Sequence, residues 1–390
     1  MNNTIYWIWL QQKLGAGAKT AAILDYFEGD IKAVYEAESY PSSVIKNGVK
    51  LADKELESSN NIIDYCRKKG YKILTPSDSD YPDSLRDIPD YPCAIYVCGE
   101  FDFNGEPMIA LVGARKASYY GLNVATRLSY SLSVGGVTVV SGGALGTDSA
   151  AHKGAILAGS KTVMVLGCGL DGGYLKENAD LFEAVKKNGA VISEFPPETG
   201  ANRFTFPIRN RLIAAMCMAT VVVQAGVKSG SLITARLARQ YGRDVYGVPG
   251  GIYNKDFQGV NELIRDGAGV VTGVSDILEN YAGRFKDKID LEKAASFDIT
   301  DKELIYEELP KTGIEAVDEP IELNMEIKKR LTGLSAKSRL VYDSLETGPK
   351  HINEISLLTS LSQSEVLSHL TTLELMDAVV ATEGRKYRRI

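Results

Sequence analysis

From Met108 onward the chain repeats one pattern: a short apolar run, a glycine turn, then a stretch in which apolar positions recur at helical spacing. The runs MIALVG, VTVVSG, TVMVLG, AVISEF, ATVVVQA, DVYGVP and GVVTG predict about seven strands, most of them separated by helices of about 10 to 15 residues. Because these runs are continuous in Val, Ile and Leu and do not alternate with polar residues, they predict parallel strands covered by helices on both faces. Residues 108–281 therefore read as an α/β domain, a doubly wound and mostly parallel sheet.

The flanking segments have other textures. From Ile5 to Cys66 helical spacing is broken at LGAGAK, FEGD and KNGVK, which predicts a small bundle of short helices over residues 1–70, SAM- or helix-hairpin-helix-like. LGAGAKTAAIL supports two readings: a hairpin whose amides meet a DNA phosphate, or a helix cap inside a protein-contact bundle. Residues 71–107, rich in Tyr, Pro and Asp, read as a connecting segment with short strands around Ile73 and Ile95, ending in an edge strand. After Tyr281 acids far outnumber bases, and residues 282–330 read as a solvated acidic linker. Residues 331–390 hold three helical segments and a hairpin turning at Glu383-Gly384, the outline of a winged helix with Gln363 to Leu373 as recognition helix. That helix is poor in Arg and Lys, so a packing or protein-contact role stands beside a DNA role; RKYRRI at the end is basic.

Composition narrows the class. A chain of 390 residues with 44% hydrophobic and 24% charged residues is a globular protein of two to three domains, at roughly 100 to 200 residues each. IYWIWL ends at Gln11 without a basic flank or a small-residue cleavage pattern, so neither a signal peptide nor a span is expected and the location expected is cytoplasmic, away from membranes. The five cysteines are scattered and lack paired C-x-x-C spacing, which predicts buried or incidental thiols and no metal site. The net charge of −6 excludes a chain basic throughout but leaves room for a local basic groove.

The candidate chemistry lies at the strand ends. VGARKASYYG, SGGALGTDSAAH and GCGLDGG are glycine turns leading into helices, and KSGSLITA is a fourth strand-to-helix junction; such turns present amides at the positive end of a helix dipole, where anions bind. RFTFPIRNRLIAA interleaves Arg203, Arg209 and Arg211 with Phe204 and Phe206. Guanidinium groups for phosphate and flat rings for unstacked bases are what single-stranded nucleic acid requires; the alternative is a core pair of Phe with rim or salt-bridging arginines.

Gly167, Gly169 and Gly172 also spell G-x-G-x-x-G, with Glu194 where a ribose-binding acid would be sought. The next helix is predicted only from about Glu177 to Ala179, so the turn reads as the third strand end of a large sheet and no coenzyme is expected. Ser141, Asp148 and His152 permit a triad, but a capping Asp and a helix His explain them more simply. No G-x-x-x-x-G-K-[ST] occurs, so no P-loop hydrolysis is expected.

VGARKASYYG, SGGALGTDSAAH, VLGCGLDGGYLKEN, ISEFPPET, FPIRNRLIAA, SGSLITARLARQYGRDVYGVPG and GVNELIRDGA resemble, in order and spacing, the DNA processing protein A (DprA, Smf) family, closely over residues 70 to 280. The resemblance implies an extended Rossmann-like domain over residues 108–281, in a non-enzymatic protein without cofactor that binds single-stranded DNA, protects it and loads the RecA recombinase during natural transformation, as a homodimer through that domain. The apolar face of GVNELIRDGAGVV is the interface candidate. Residue by residue it implies that Arg115 holds a phosphate with the amides of Gly113 and Ala114, near Ser118. Ser141, Gly142 and Gly143 would form a second phosphate loop, and Arg209, Asn210 and Arg211 would contact the strand beside Phe204 and Phe206. Ser229, Gly230, Ser231 and Thr234 match the family's serine-glycine-serine turn. Leu145 stands where the family commonly has Arg or Lys, which puts one basic contact in doubt, and Tyr174-Leu175 replaces its Tyr-Pro. Three rival readings remain: a nucleotide phosphoribohydrolase, for which Pro249-Gly250-Gly251 begins the motif but the Gly-Thr and acid are missing; a coenzyme-binding oxidoreductase; and a winged-helix regulator.

Overall fold

The computed structural model describes residues 3–41, 45, 51–173, 176–296, 335–345, 350–359, 361–375, 378–382 and 386–389. It divides into two compact units, Met1–Leu309 and Pro310–Ile390.

The first unit is organised by a nine-stranded sheet. In chain order its strands are β1 (Lys72–Leu74), β2 (Ile95–Gly99), β3 (Met108–Val112), β4 (Thr138–Gly142), β5 (Thr162–Leu166), β6 (Gly189–Ser193), β7 (Ala219–Val222), β8 (Asp244–Gly247) and β9 (Gly269–Val270). Across the sheet the order is β1-β2-β6-β5-β4-β3-β7-β8-β9. The seven strands expected from the apolar runs all form and are all parallel. Two antiparallel strands extend them: β2 pairs with β6 and β1 with β2. The edge strand expected at the end of residues 71–107 is thus corrected, since β2 is flanked on both sides and β1 is the edge.

Every residue of β3 is buried, and its side chains alternate between two cores. Met108, Ala110 and Val112 face α5 (Asp83–Arg86), α9 (Thr205–Met216), α10 (Ser231–Gln240) and α11 (Gln258–Arg265), while Ile109 and Leu111 face α6 (Tyr119–Val134), α7 (Thr147–Leu157) and α12 (Ser275–Ala282). Burial of both faces is why the strand runs lack polar alternation. The chain steps outward from β3 to β6, returns to place β7 against the other side of β3, and continues to β9. The carboxyl ends of β3 and β7 therefore mark the switch point, where open sheets of this type bind ligands.

The helical N-terminal bundle is α1 (Thr4–Leu14), α2 (Thr20–Tyr26), α3 (Ile31–Glu36) and α4 (Glu57–Lys69). Trp7, Trp9, Leu10, Ile23, Leu24, Ile31 and Val34 form its core. LGAGAK is the break between α1 and α2, with Gly15 and Gly17 at φ 82° and 76°, a region open to glycine. FEGD ends α2, and Asp30 caps α3 by accepting from the Lys32 amide at 2.8 Å; KNGVK lies outside the described residues.

The acidic linker expected over residues 282–330 is corrected at its start, where the chain is folded through residue 296; residues 297–330 lie outside the described residues. Residues 283–296 fold back on α6: Ile289 and Ala294 are buried in its core, α13 (Leu291–Ala295) packs on it, and the Asp290 amide donates to the Gly135 carbonyl at 3.1 Å. All five cysteines are buried, with burial pushing the Cys66 thiol up to about 12. Among the described residues no helix is long and apolar enough to cross a membrane.

In the second unit, helices Ala336–Asp343, Ile352–Thr359 and Gln363–Leu375 enclose a core of Val341, Leu345, Ile355, Val366, Leu370 and Leu373. The expected hairpin is Val379–Thr382 against Lys386–Arg389, and a third strand, Lys350–His351, pairs with the latter. This is the winged-helix arrangement; Glu383-Gly384 lie outside the described residues.

Beneath the sheet's carboxyl rim, His152 of α7 is fully buried, with Nε2 2.9 Å from the Gly142 carbonyl and Nδ1 2.8 Å from Thr162 Oγ1. Nε2 donates to the carbonyl, a group that can only accept, which fixes the tautomer of the neutral ring. Burial lowers the ring's pKa to about 4, against the pull of the Gly142 carbonyl and with Arg209 adding to the depression. The unfolded chain binds this proton below its ordinary value of about 6.5, so the stabilisation is complete above that pH and is lost as pH falls towards about 4. Urea unfolding across that window is expected to show a loss of roughly 3 kcal/mol from this group, absent in His152→Gln; an equally steep variant contradicts the assignment.

Candidate nucleic-acid interface

The site is built from three adjacent strand ends. Beyond β3 the chain turns through Gly113-Ala114-Arg115. A Cβ on Gly113 would collide with the Thr147 side chain, so glycine is what lets α7 start this close. Thr147 then fastens the turn, its amide and Oγ1 donating to the Ala114 carbonyl at 3.1 and 3.2 Å. Arg115 stands exposed above, its guanidinium carbon 4.7 Å from the centre of the Phe206 ring, a stacked cation–π pair. Phe206 comes from the first turn of α9, and Gly167, at the end of β5, leaves the space its ring occupies. A second such pair lies just ahead, Arg203 over Phe204 at 4.7 Å, with Phe204 65% exposed.

The opposite wall is the start of α10. The hydroxyls of Ser229 and Ser231 share a hydrogen bond of 2.8 Å, and Asn210 Nδ2 donates to the Gly230 carbonyl at 3.4 Å. Between the walls lies a crevice of about 620 Å³ lined by Gly113, Arg115, Phe206, Arg209, Asn210, Ser229, Gly230, Ser231 and Thr234, all expected, and by Arg203, Asn202 and Asp148. Asn202 was not foreseen; it shapes the turn into α9, its Oδ1 accepting from the Phe204 amide at 2.9 Å and its carbonyl from Thr205 Oγ1 at 2.8 Å. The signal was in the run N-R-F-T, a short polar residue three places before the first helical residue.

Arg209 is buried beneath this surface. Its guanidinium donates to the Val165 carbonyl, and its charge partly offsets the burial that raises the Asp148 carboxyl's pKa. It contributes positive potential from below, where the sequence had suggested direct contact.

Five expected contact residues are corrected. Arg211 faces the interior: its side chain is 3% exposed and Nη2 donates to Glu194 Oε1, itself 2% exposed, with Asp90 Oδ2 3.4 Å from Nε. Ser141 is buried and its hydroxyl donates to the Leu111 carbonyl at 2.6 Å. Gly142 and Gly143 are buried too, so SGG is packed beneath the rim and does not line the crevice. Ser118 caps α6, accepting from the Gly121 amide at 3.2 Å and donating through its amide and hydroxyl to Gln224 Oε1, each at 2.9 Å. The triad does not assemble, because Ser141 and the two ring nitrogens of His152 bond elsewhere.

The GCGLDGG turn has a structural explanation. The Gly169 and Asp171 amides donate to the carbonyls of Thr199 and Pro197 at 2.8 and 2.7 Å, and a Cβ on Gly169 would strike the Pro196 and Pro197 carbonyls. The turn is filled by ISEFPPET and its amides are not offered to a pyrophosphate. The following helix, α8 (Ala179–Lys187), starts as late as the spacing suggested. Glu194 serves the N-terminal bundle: its Oε1 accepts from the Gly17 amide at 3.2 Å, and Gln11 donates to its carbonyl at 2.7 Å. Of the two readings of LGAGAK, the structure uses the Gly17 amide for contact within the protein.

Fold and crevice together define a Rossmann-type α/β protein with a crevice at the switch point and a winged helix in its second unit. The chain belongs to the DNA recombination-mediator protein A family, whose model matches residues 72–282, with a DprA winged helix domain matched at 328–385. It is 27% identical to Protein Smf of Synechocystis over 98% of each chain. It is 33% identical to the putative DNA processing protein DprA of Mycobacterium tuberculosis over 69% of this chain and 73% of that one. The X-ray structure of DNA processing protein A from Streptococcus pneumoniae superposes with a TM-score of 0.60 at 32% identity, covering 72% of this chain and 98% of that one.

Removing one partner of a buried ion pair leaves the other charged and unsolvated. Arg211→Ala is therefore expected to lower unfolding free energy by about 3–5 kcal/mol, and Arg211→Met with Glu194→Leu to recover most of that loss. Urea unfolding of the two proteins checks both statements, and a stable Arg211→Ala contradicts the internal role.

Proposed function

We propose that the crevice binds the backbone and bases of single-stranded DNA, and that the protein is a recombination mediator which protects incoming strands and loads the RecA recombinase on them in natural transformation. The observation that carries this reading is the exposed Arg115 stacked on Phe206 at the switch point. A guanidinium laid on a ring pairs a phosphate ligand with a flat apolar face, and a ring face offered to solvent stacks on bases that are not already paired. In this reading Arg115 takes a phosphate with the amides of Gly113 and Ala114, and Phe206 and Phe204 take bases. Asn210, Ser229 and Gly230 supply polar contacts along the other wall, with Ser231 and Thr234 buried behind them, while Arg209 adds potential from beneath. The family's description as a recombination mediator supports the wider role. The role assigned is binding without bond cleavage.

A homodimer and a RecA contact belong to the same proposal. The face of α11 suggested as an interface is largely engaged already: Val260 is buried, and Leu263 and Ile264 pack on the sheet's core. An interface there would use what remains exposed, including Val270.

The test is affinity of the full chain for oligonucleotides across salt concentrations. Single strands are expected to bind more tightly than duplex. Arg115→Ala is expected to make the slope of log affinity on log salt shallower by about 0.7, the share of one phosphate on a single strand. Phe206→Ala is expected to cost about 1–3 kcal/mol, the contribution of one stacked base. An Arg115→Ala protein with parental affinity and slope overturns the assignment.

A further inference from the structure

The rim that holds the crevice continues past it. β8 lies next to β7 and β7 next to β3, and the loop after β8 stands beside the loop after β7, with the Lys255 carbonyl against Gly226. At the tip of that loop Ile252 is 80% and Tyr253 94% exposed, and Tyr119 at the start of α6 is 65% exposed. The loop itself is well anchored. Asn261 holds Gly250 at both backbone groups, at 3.2 and 3.1 Å, and the Asn254 amide donates to the Gly251 carbonyl at 2.9 Å. Tyr120 donates its hydroxyl to the Pro249 carbonyl at 3.4 Å, and its ring meets Phe257 edge-on at 5.6 Å. A braced loop that holds a tyrosine in water presents a surface for something to cover.

Three features point to the occupant. Lys116, Lys228 and Lys255 are exposed along this stretch, with Asp256 the acid nearest in sequence to the tip, so the surroundings favour a polyanion. The exposed side chains are mainly aromatic, the type that stacks on unpaired bases. The stretch is also continuous with the Arg115–Phe206 pair: β3 and β8 are two strand spacings apart, roughly 10 Å, well within the span of the four or more nucleotides that a single-strand groove covers.

We infer that Tyr253, with Ile252 beside it in the chain, is a second stacking platform for a single strand whose backbone is held at Arg115. This rests on the proposed function. Affinity then depends on oligonucleotide length, because only a strand that spans both places engages both.

The experiment measures binding of the full chain to oligothymidylates of about 2 and about 20 nucleotides, lengths on either side of the four or more nucleotides that a single-strand groove covers. Tyr253→Ala is expected to weaken the long oligonucleotide about tenfold, as loss of one stacked base does, and to leave the short one unchanged. Tyr253→Trp is expected to keep the affinity and to have its emission quenched by the long strand; the native Trp7 and Trp9 are buried in the N-terminal bundle and do not report that contact. If Tyr253→Ala binds the long strand like the parent while Arg115→Ala does not, the platform is wrong and the crevice stands. If Arg115→Ala also binds like the parent, both fall. A Tyr253→Ala protein with unchanged DNA affinity and a smaller mass in solution makes the tip an interface between copies of this chain, and overturns the platform.

Discussion

The arrangement of the first unit depends on one buried ion pair. Glu194, just past the end of β6, and Arg211, in the middle of α9, meet where neither reaches water. Taking two charges out of solvent is costly, and Glu194 Oε2 and Arg211 Nη1 find no hydrogen-bond partner among the described residues, yet neighbours from several parts of the chain converge on the pair. Asp90 approaches Arg211 from the segment before β2, the Gly17 amide reaches Glu194 from the turn between α1 and α2, and Gln11 closes over the Glu194 carbonyl. The helical bundle, the added antiparallel strands and the Rossmann sheet are thereby joined at one polar point. A bundle docked only by apolar contact could slide; one whose backbone amide must meet a buried carboxylate has a single register.

That junction also sets α9, and with it the aromatic side of the crevice. Arg211 turned inward places Phe206, a little over one turn earlier, at the rim beside Arg115. Arg209 lies between, beneath the surface, against the Val165 carbonyl and near Asp148. Arg115, Arg209 and Arg211 thus have three environments: one exposed on a ring, one lining the floor, one sealed in an ion pair. The glycines have a comparable division of labour. Gly113 and Gly167 make room for Thr147 and Phe206, whereas Gly169 is packed against the loop after β6.

The strand runs from Met108 to Val271 were legible because burial on both faces writes itself into the sequence as unbroken Val, Ile and Leu, and glycine turns separate such runs cleanly. The places where that reading fell short share a cause. The role of β2 as an interior strand depends on antiparallel pairing with β6, nearly a hundred residues later, and no local pattern encodes such a partner. Residues 283–296 look like linker by charge, yet Ile289 and Ala294 find a groove on α6 that only the folded domain provides.

By itself the sequence determined the class of fold, the strand ends at which ligands are met, and the residue types gathered there, since these follow from local periodicity, turn chemistry and composition. Tertiary structure alone decided which of those residues face outward. Arg115 and Arg211 are chemically the same side chain in motifs of equal prominence. One lies above a ring in solvent and the other beside a buried carboxylate, because the surroundings of a long flexible side chain are set by what packs around it and not by its neighbours in the chain.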